Sequence, residues 1–378
     1  MMADSGFFTP YLRKTAEYHI QILYSKITRD EEGKALIETH TYGIDTASYF
    51  FPASMVKLPC SALALEKLNR LNLPNLDKES VMHSGAEFRC QTPEKSRDTA
   101  LFRRPSLANY IRRMMLVSDN VAYNRSYEFL GPDYIKEQLT LKGYPTARII
   151  QRFAGCDREA NRRTNPAVFL NPVNWDTLYR QPGKRSASEL RNPNSKPYLG
   201  HAHLDFSGKR YEMPYDFSHS NHLLMADVHN MVISLMLPEA VHPNQRFDMS
   251  TNDLAFLKKY MGMYPRESGM PEYSNHKVYY DSYKKYLVFG RGQAVIPDSI
   301  RIYNIVGMAQ GFLADCAYIT EPANNVEFFL SALIYTNADG VLNDGIYEYN
   351  TLGQPFLKRL GLAFLNYERE RQKLEKSK

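Results

Sequence analysis

The sequence predicts an α+β fold, an α/β arrangement in which an antiparallel sheet flanked by helices carries an inserted, all-helical lobe. Two observations predict it: alternating apolar segments occur near both ends of the 378-residue chain, and helical apolar spacing dominates between them. Residues 14–72 and 223–378 are therefore assigned to the sheet domain, and residues 73–222 to the helical lobe. Within the lobe, a long irregular excursion is expected at about 166–222, and an active site is expected in the cleft between sheet and lobe.

The individual elements follow from the spacing of apolar residues. Residues 18–24 alternate, and residues 34–39 return after an acidic turn, which predicts a hairpin. Later strands are predicted at Tyr286–Gly290, Arg301–Gly307, Ala314–Ile319 and Val326–Tyr335. Helices are predicted over about 54–71, 105–115, 121–130, 223–237 and 354–376. The last helix has one apolar half and should cover one face of the sheet.

The composition excludes several classes of protein. Hydrophobic residues make up 43% of the chain, enough for a sizeable core. The net charge of +6 is spread along the sequence, so no nucleic-acid track is expected. No apolar run reaches the roughly 18 residues of a membrane helix. No signal peptide is visible in residues 1–13, which indicates either a cytosolic protein or one whose export signal is absent from this chain.

The cysteines and histidines suggest no metal centre. Four widely separated cysteines contain no C-x-x-C pair, so neither a zinc knuckle nor a redox motif is predicted. Buried free thiols are the expected state, with one or two disulfides as the alternative. His201 and His203 would share one side of a strand, but no acidic or cysteine ligand follows at suitable spacing, so no metal ligand is assigned.

The tetrapeptide Ser54-Met55-Val56-Lys57 is the strongest chemical signal. A serine three residues before a lysine shares one helical face with it, and an amine at that distance can accept the hydroxyl proton. A mainly apolar segment follows from position 58 to 65, so the serine is predicted to open a buried helix. The positive end of that helix would favour an oxyanion.

A second motif, Ser118-Asp119-Asn120, lies between two predicted helices about sixty residues later. Together with Ser54-x-x-Lys57 it resembles the penicillin-recognising serine enzymes, the superfamily of class A β-lactamases and D-Ala-D-Ala peptidases. The order and the structural contexts of the motifs are similar to those of the family, over most of the chain from about residue 18 to 365. The resemblance implies a β-lactamase/transpeptidase-like fold.

The resemblance also implies a role for each residue. Ser54 would attack a carbonyl and become acylated, and Lys57 would accept or relay its proton. Ser118 would pass a proton to the leaving nitrogen, while Asn120 would hold Lys57 and the substrate amide. The N–H groups of Ser54 and Phe312 would form the oxyanion hole. Asp119 is expected only to brace the turn.

The third motif of the family, usually Lys-Thr-Gly on a strand at the cleft edge, is altered in this chain. Ala309 is matched to the lysine, Gln310 to the hydroxyl residue and Gly311 to the glycine, which lets substrate approach the strand. The cation for a substrate carboxylate is then missing, and Arg291 or Arg301 is the substitute suggested by proximity in sequence.

Acidic residues for deacylation are predicted at Asp157 and Glu159. Asp157 lies four residues before Asn161, the family spacing for a water-activating acid, but its side chain is one methylene shorter than glutamate. Glu159 could replace it through a different loop path. Because a displacement of about 1 Å can cost roughly a hundredfold in rate, slow hydrolysis of the acyl-enzyme is expected.

The sequence therefore predicts a serine hydrolase of the β-lactamase-like superfamily that forms an acyl-serine intermediate on an amide or ester and needs no cofactor. Its expected partner is a small-molecule or peptidoglycan-derived substrate, with no nucleic acid and no membrane span. The alternatives are a non-catalytic descendant that binds a cell-wall peptide or protein, which the altered third motif favours, and a D-Ala-D-Ala peptidase or esterase. The resemblance implies a periplasmic or cell-surface location, and a cytoplasmic one stays open.

Overall fold

A computed structural model describes residues 5–292 and 295–377 of the chain; residues 1–4, at the start of the segment searched for an export signal, and residues 293, 294 and 378 lie outside it. The helices are α1 Ser5–Leu12, α2 Lys57–Leu71, α3 Leu107–Val117, α4 Asn120–Leu130, α5 Pro132–Leu141, α6 Arg158–Asn161, α7 Met225–Met236, α8 Thr251–Gly262 and α9 Gln354–Lys376. The strands are β1 Gln21–Arg29, β2 Ala35–Tyr42, β3 Val81–Ser84, β4 Arg163–Thr164, β5 Ala167–Leu170, β6 Thr177–Gln181, β7 Lys184–Arg185, β8 Tyr198–Leu199, β9 Ala202–Leu204, β10 Arg210–Tyr211, β11 Tyr215–Asp216, β12 Arg301–Ala309, β13 Phe312–Glu321, β14 Val326–Tyr335 and β15 Val341–Leu342.

The largest sheet joins both ends of the chain. Its order is β12-β13-β14-β1-β2, and each neighbouring pair is antiparallel. Strand β1 pairs with β14 in the register Gln21↔Leu333. The N-terminal hairpin therefore lies in the same sheet as the three strands from the last third of the chain. This antiparallel sheet with flanking helices and a helical insertion confirms the predicted fold class.

Helices cover the two faces of this sheet. Alternate residues of β1 point to opposite sides: Ile22 and Tyr24 pack in one apolar cluster with α9, whereas Leu23 and Ile27 join the other cluster, with α2 and α7. Phe356 of α9 is fully buried against the sheet, as the apolar half of that helix predicted. None of the helices within residues 5–292 and 295–377 combines the length and apolarity needed to cross a bilayer.

The lobe packs against the second face. Helices α3 and α4 contact each other and α2, so the turn between them lies next to the start of α2. The excursion at about 166–222 contains short strands in small sheets, including β3-β5-β6, in which β5 and β6 pair antiparallel. Part of its backbone is thus hydrogen-bonded in short ladders, both within the excursion and to β3 and β15 outside it, despite the weak sequence pattern.

Two expectations from the sequence are wrong. Tyr286–Gly290 is not a strand: the segment follows a 3₁₀ turn at Asp281–Lys284, and the N–H groups of Tyr286 and Leu287 donate to the buried carboxylate of Asp315. Its apolar side chains are buried without a β-ladder, which periodicity cannot reveal.

Cys90 and Cys156 are joined in a disulfide, whereas Cys60 and Cys316 are buried free thiols as expected.

Gly361 of α9 allows this helix to approach the 287–288 segment closely. A Cβ atom on Gly361 would meet the backbone nitrogen of Val288 and lie 2.9 Å from the carbonyl carbon of Leu287. We expect Gly361→Ala to destabilise the protein by roughly 1–3 kcal/mol, because the contacting atoms are backbone atoms, which cannot move away as the end of a flexible side chain can. This loss should exceed the small gain from the higher helix propensity of alanine. Urea unfolding measures the loss. Gly155→Ala, where no atom lies within 4 Å of the added carbon, is the control, and equal stability of the two variants would contradict the close approach.

His229 of α7 links this helix to the sheet. Its Nε2 lies 2.8 Å from Ser25 Oγ and its Nδ1 lies 2.7 Å from Ser331 Oγ, and the residue is buried. Two hydroxyls can satisfy a neutral imidazole, since each can donate or accept. Burial lowers the pKa of His229 to about 4.

The low pKa of His229 predicts a loss of stability in acid. Between its ordinary value near 6.5 and about 4, the unfolded chain takes up a proton that the folded protein does not, so folding weakens as pH falls through this window. The contribution is at most about 3 kcal/mol. We expect His229→Gln to show a shallower dependence of the unfolding free energy on pH between 7 and 4; parallel curves for the two proteins would exclude this role.

Candidate active site

Ser54 lies in a 3₁₀ turn, Ala53–Val56, that runs directly into α2. Its neighbours Met55 and Val56 are buried, which leaves the serine half-exposed at the start of the helix. Ala53 adopts a φ of 45°, a left-handed conformation that non-glycine residues seldom take and that occurs often at functional sites. Ser54 is the one polar residue of this turn, and it lies at the N-terminal end of α2 because the apolar residues around it are buried.

Lys57 connects the two sequence motifs. Its Nζ lies 2.8 Å from Ser54 Oγ, 2.9 Å from Ser118 Oγ, 2.5 Å from the carbonyl oxygen of Ser118 and 2.7 Å from Asn120 Oδ1. The residue is fully buried in the protein. The structure therefore brings Ser54, Lys57, Ser118 and Asn120 together around one amine.

The proton count at this amine is informative. The Ser118 carbonyl and Asn120 Oδ1 can only accept, so they occupy the two N–H groups of a neutral Lys57. The remaining lone pair then faces a hydroxyl that can donate to it. Burial lowers the pKa of Lys57 to about 6, the positive charge of Lys284 acts in the same direction, and Asp119 opposes both. Burial and the Lys284 charge thus favour the unprotonated amine, which can act as a base.

The turn between α3 and α4 holds the second motif. Ser118 ends α3 with a φ of 63°, and Asp119 caps α4 by accepting from the N–H of Ala122 at 2.8 Å. The same carboxylate accepts from Arg113 Nη2 at 2.6 Å. Asp119 therefore braces the turn, which presents Ser118 and Asn120 to Lys57.

A cavity of about 110 Å³ opens at Ser54. The residues that line it are Ser54, Val117, Ser118, Tyr283, Lys284, Tyr286, Arg291, Val306 and Met308. Within the described part of the chain this lining contains cationic side chains and hydroxyls but no carboxylate. Such a cavity favours a small ligand that carries or develops negative charge.

Strand β12 passes Ser54 at Gly307, two to four residues earlier than the third motif was matched. A Cβ atom on Gly307 would lie 2.7 Å from the carbonyl oxygen of Pro52 and 3.0 Å from Met55 Cγ. No side chain fits there, so glycine permits the strand to lie against the serine turn. The strand residues beside Ser54 are thus Val306 and Met308.

The residues matched to the third motif lie elsewhere. Ala309 is the last residue of β12, and Gln310 and Gly311 form the turn to β13, both with positive φ. Gly311 donates its N–H to Tyr349 Oη, and Phe312 is buried with its ring centroid 4.5 Å from that of Tyr335. The structure does not bring these four residues to the Ser54 cavity.

The two acids predicted for deacylation are engaged by arginines. Asp157 is exposed, caps the short helix α6 and pairs with Arg89. Glu159 lies 2.7 Å from Arg163 and 2.8 Å from Arg185, and hydrogen bonds from Arg185 and then Arg163 lower its pKa to about 2. Neither residue lines the cavity at Ser54 among the residues described.

Of the two arginines suggested as substitute cations, only one lies at the cavity. Arg291 lines it, whereas Arg301 pairs with Glu267 at 2.7 Å outside it. Sequence reasoning missed Lys284. The only available signal was a charged pair, Lys284-Lys285, directly before the apolar segment at 286–289, and such a pair more often marks a solvated end.

Comparison with known proteins agrees with the resemblance. Residues 15–173 match the family model described as the beta-lactamase enzyme family. No curated protein matches the chain. Similar solved structures include the β-lactamase from Sphaerobacter thermophilus, with 12% identity, coverage of 97% of this chain and 98% of that one, and a TM-score of 0.48.

Two further solved structures have comparable values. The β-lactamase from Streptomyces albus G has 14% identity, coverage of 95% of this chain and 99% of its own, and a TM-score of 0.44. PBP-A has 14% identity, coverage of 92% and 91%, and a TM-score of 0.46. The matched residues 15–173 contain both Ser54-x-x-Lys57 and Ser118-Asp119-Asn120. Over residues 15–173, the family match confirms the predicted resemblance to the β-lactamase-like superfamily.

Proposed function

We propose that this protein is a serine hydrolase that forms an acyl-serine intermediate on an amide or ester, of β-lactam or cell-wall peptide type. The observation that carries the proposal is the 2.8 Å contact between Ser54 Oγ and a Lys57 amine whose pKa is lowered to about 6. A buried free amine at that distance can act as a general base for a serine nucleophile.

The acylation step follows from the contacts at Lys57. The lone pair of Lys57 takes the proton of the Ser54 hydroxyl as Oγ bonds to the carbonyl carbon, and the carbonyl π electrons move to oxygen. When the tetrahedral intermediate collapses, the bond to the leaving nitrogen or oxygen breaks and that atom receives a proton. Ser118 Oγ, 2.9 Å from Lys57 Nζ, is placed to deliver it, which returns Lys57 to its free form.

The oxyanion is proposed to bind between Ser54 N–H and the edge of β12. Because the turn at Gln310 and Gly311 has two residues, Ala309 and Phe312 form a hydrogen-bonded pair. Paired and unpaired positions alternate in an antiparallel ladder, so the N–H of Met308 points away from β13. Met308 also lines the cavity, which favours it over Phe312 as the second donor.

Hydrolysis of the acyl-enzyme is expected to be slow. Asp157 pairs with Arg89, and Glu159, whose pKa two arginines lower to about 2, is a weak base. This favours a protein that accumulates its covalent adduct, as a peptidase or penicillin-binding descendant does, over one with fast β-lactam turnover.

Export to an oxidising compartment, the periplasm or the cell surface, forms part of the proposal. The disulfide between Cys90 and Cys156 supports it, because disulfides rarely persist in a reducing cytosol.

The test is covalent labelling by a fluorescent penicillin and, separately, by a fluorophosphonate probe. We expect one adduct per chain, located on the peptide that contains Ser54 by mass spectrometry, and release of the adduct over a time much longer than its formation. If neither probe labels the folded protein while muropeptides raise its thermal stability, the non-catalytic binding alternative is correct instead.

A further inference from the structure

A second buried amine faces the cavity at Ser54. Lys284 lies at the end of the 3₁₀ turn Asp281–Lys284, is 4% exposed, and lines the cavity together with Ser54 and Ser118. Its Nζ donates to the carbonyl oxygens of Met114 at 2.9 Å and Met115 at 3.1 Å. These carbonyls belong to the last turn of α3, the helix that ends at Ser118.

A buried network fixes the position of Lys284. The Asp315 carboxylate of β13 accepts from the N–H groups of Tyr286 at 2.9 Å and Leu287 at 3.0 Å. Asn304 of β12 donates to the Lys284 carbonyl oxygen at 2.6 Å and to Asp315 Oδ1 at 2.7 Å. The segment that carries Lys284 is thus bound to two strands of the sheet, while its amine reaches across to the lobe.

We propose that Lys284 is a positioning residue for the Ser54 centre, which holds the turn at Ser118 through α3 and keeps the neighbouring Lys57 amine free of its proton. The catalytic role of Lys284 rests on the function proposed above. The effect of Lys284 on the protonation of Lys57 does not depend on whether a substrate is turned over.

The surroundings of the two amines decide which one carries a shared proton. Lys284 faces two carbonyls at the negative end of α3, a site that favours a cation, and Asp315 raises its pKa against the effect of burial. Lys57 lies among two serine hydroxyls, the Asn120 amide oxygen and one backbone carbonyl, that of Ser118. Burial lowers the pKa of both amines, to about 7 for Lys284 and about 6 for Lys57, and at Lys57 the charge of Lys284 adds to this effect.

Other charged and titratable groups surround this pair. Asp119 raises the pKa of Lys57, and the Phe153 ring lies 5.2 Å from its Nζ. The groups on the elements around Lys284 are Tyr283, Lys285, Tyr286, Arg291 and Asp315. The Asp315 carboxylate is engaged by Asn304 and backbone N–H groups, and burial raises its pKa, so it offsets the two lysine charges only in part.

The experiment is an NMR titration of the Lys57 amine in the wild type and in three single-substitution variants. The Lys57 signal is assigned by its absence from the spectrum of Lys57→Met. Lys284→Gln keeps N–H donors for the Met114 and Met115 carbonyls but removes the charge, and Lys284→Arg keeps the charge. Lys285→Gln is the matched control, because Lys285 is an equally buried neighbour whose Nζ donates to Met261 and Asn304 away from the cavity.

We expect Lys57 to titrate at higher pH in Lys284→Gln, and at the wild-type pH or below it in Lys284→Arg and Lys285→Gln. An unchanged midpoint in Lys284→Gln, or an equal rise in Lys285→Gln, would overturn the inference. If Lys284→Gln does not fold, Lys284→Arg decides alone, since a permanent charge that leaves Lys57 titrating above the wild-type midpoint contradicts the proposal.

The labelling rate separates this inference from the proposed function. If the Lys57 pKa rises by one unit from about 6, the labelling rate of Lys284→Gln at pH 6 should fall roughly fivefold, with a much smaller change at pH 8. A wild-type protein that is not labelled defeats the hydrolase proposal while the titration still tests Lys284. Labelling of the wild type with the same pH dependence in Lys284→Gln defeats only the role of Lys284.

Discussion

Ser54→Ala is expected to abolish covalent labelling and to lower any turnover by on the order of 10⁴ to 10⁶-fold, because it removes the only atom that the proposed mechanism acylates. The substitution deletes one half-exposed hydroxyl, so the fold should be retained. Labelling of the variant with fluorescent penicillin, followed by gel fluorescence and intact mass, measures the effect.

Ser61→Ala provides the matched control for Ser54→Ala. Ser61 lies one turn beyond Lys57 on the same helix, but it is buried and its hydroxyl donates to the Lys57 carbonyl oxygen at 2.8 Å. We expect Ser61→Ala to be labelled at a rate close to that of the wild type. Equal labelling of Ser54→Ala and the wild type would show that another nucleophile reacts, and the proposed mechanism would be wrong.

Lys57→Met should slow acylation by roughly 10² to 10⁴-fold, the usual contribution of a general base. It should also change the form of the pH profile. In the wild type the rate rises as pH increases through about 6, because only the free amine can accept the serine proton. In the variant this inflection should disappear. Labelling rates between pH 5 and 9 measure both effects.

Lys67→Met controls for the removal of a half-buried amine from α2. Lys67 lies further along the same helix, its pKa is also lowered by burial, to about 7, and its Nζ donates to Gln181 at 2.7 Å, outside the cavity at Ser54. It should keep both the rate and the inflection near pH 6. A wild-type inflection that persists in Lys57→Met would assign it to a different group.

Much of the architecture could be predicted because its signals are local or periodic. Strand β14 was predicted with the bounds it has, Val326–Tyr335, because this apolar and aromatic segment has the composition of a buried strand. The segment at 286–290 has a similar composition but is held by Asp315, a residue of a distant strand, so its own pattern misled the prediction.

The candidate site divides in the same way. Gly311 was matched to the glycine of the third motif, but it lies in the β12–β13 turn, whereas Gly307 lies against Pro52. Gly307 and Gly311 are only four residues apart in the sequence. Which of the two lies against the serine turn depends on how the sheet packs against the lobe. Glu159 likewise has the side chain of a catalytic acid, but it forms ion pairs with two arginines from separate strands.

By itself, the sequence determined the antiparallel fold with its helical lobe and the pairing of Ser54 with Lys57, because a helix brings residues three apart onto one face whatever surrounds it. The tertiary structure alone decided that Lys284 joins this centre, that Met308 rather than Phe312 borders it, and that Cys90 meets Cys156. These contacts join residues that are far apart in the chain, and their positions depend on how whole elements pack rather than on any local pattern.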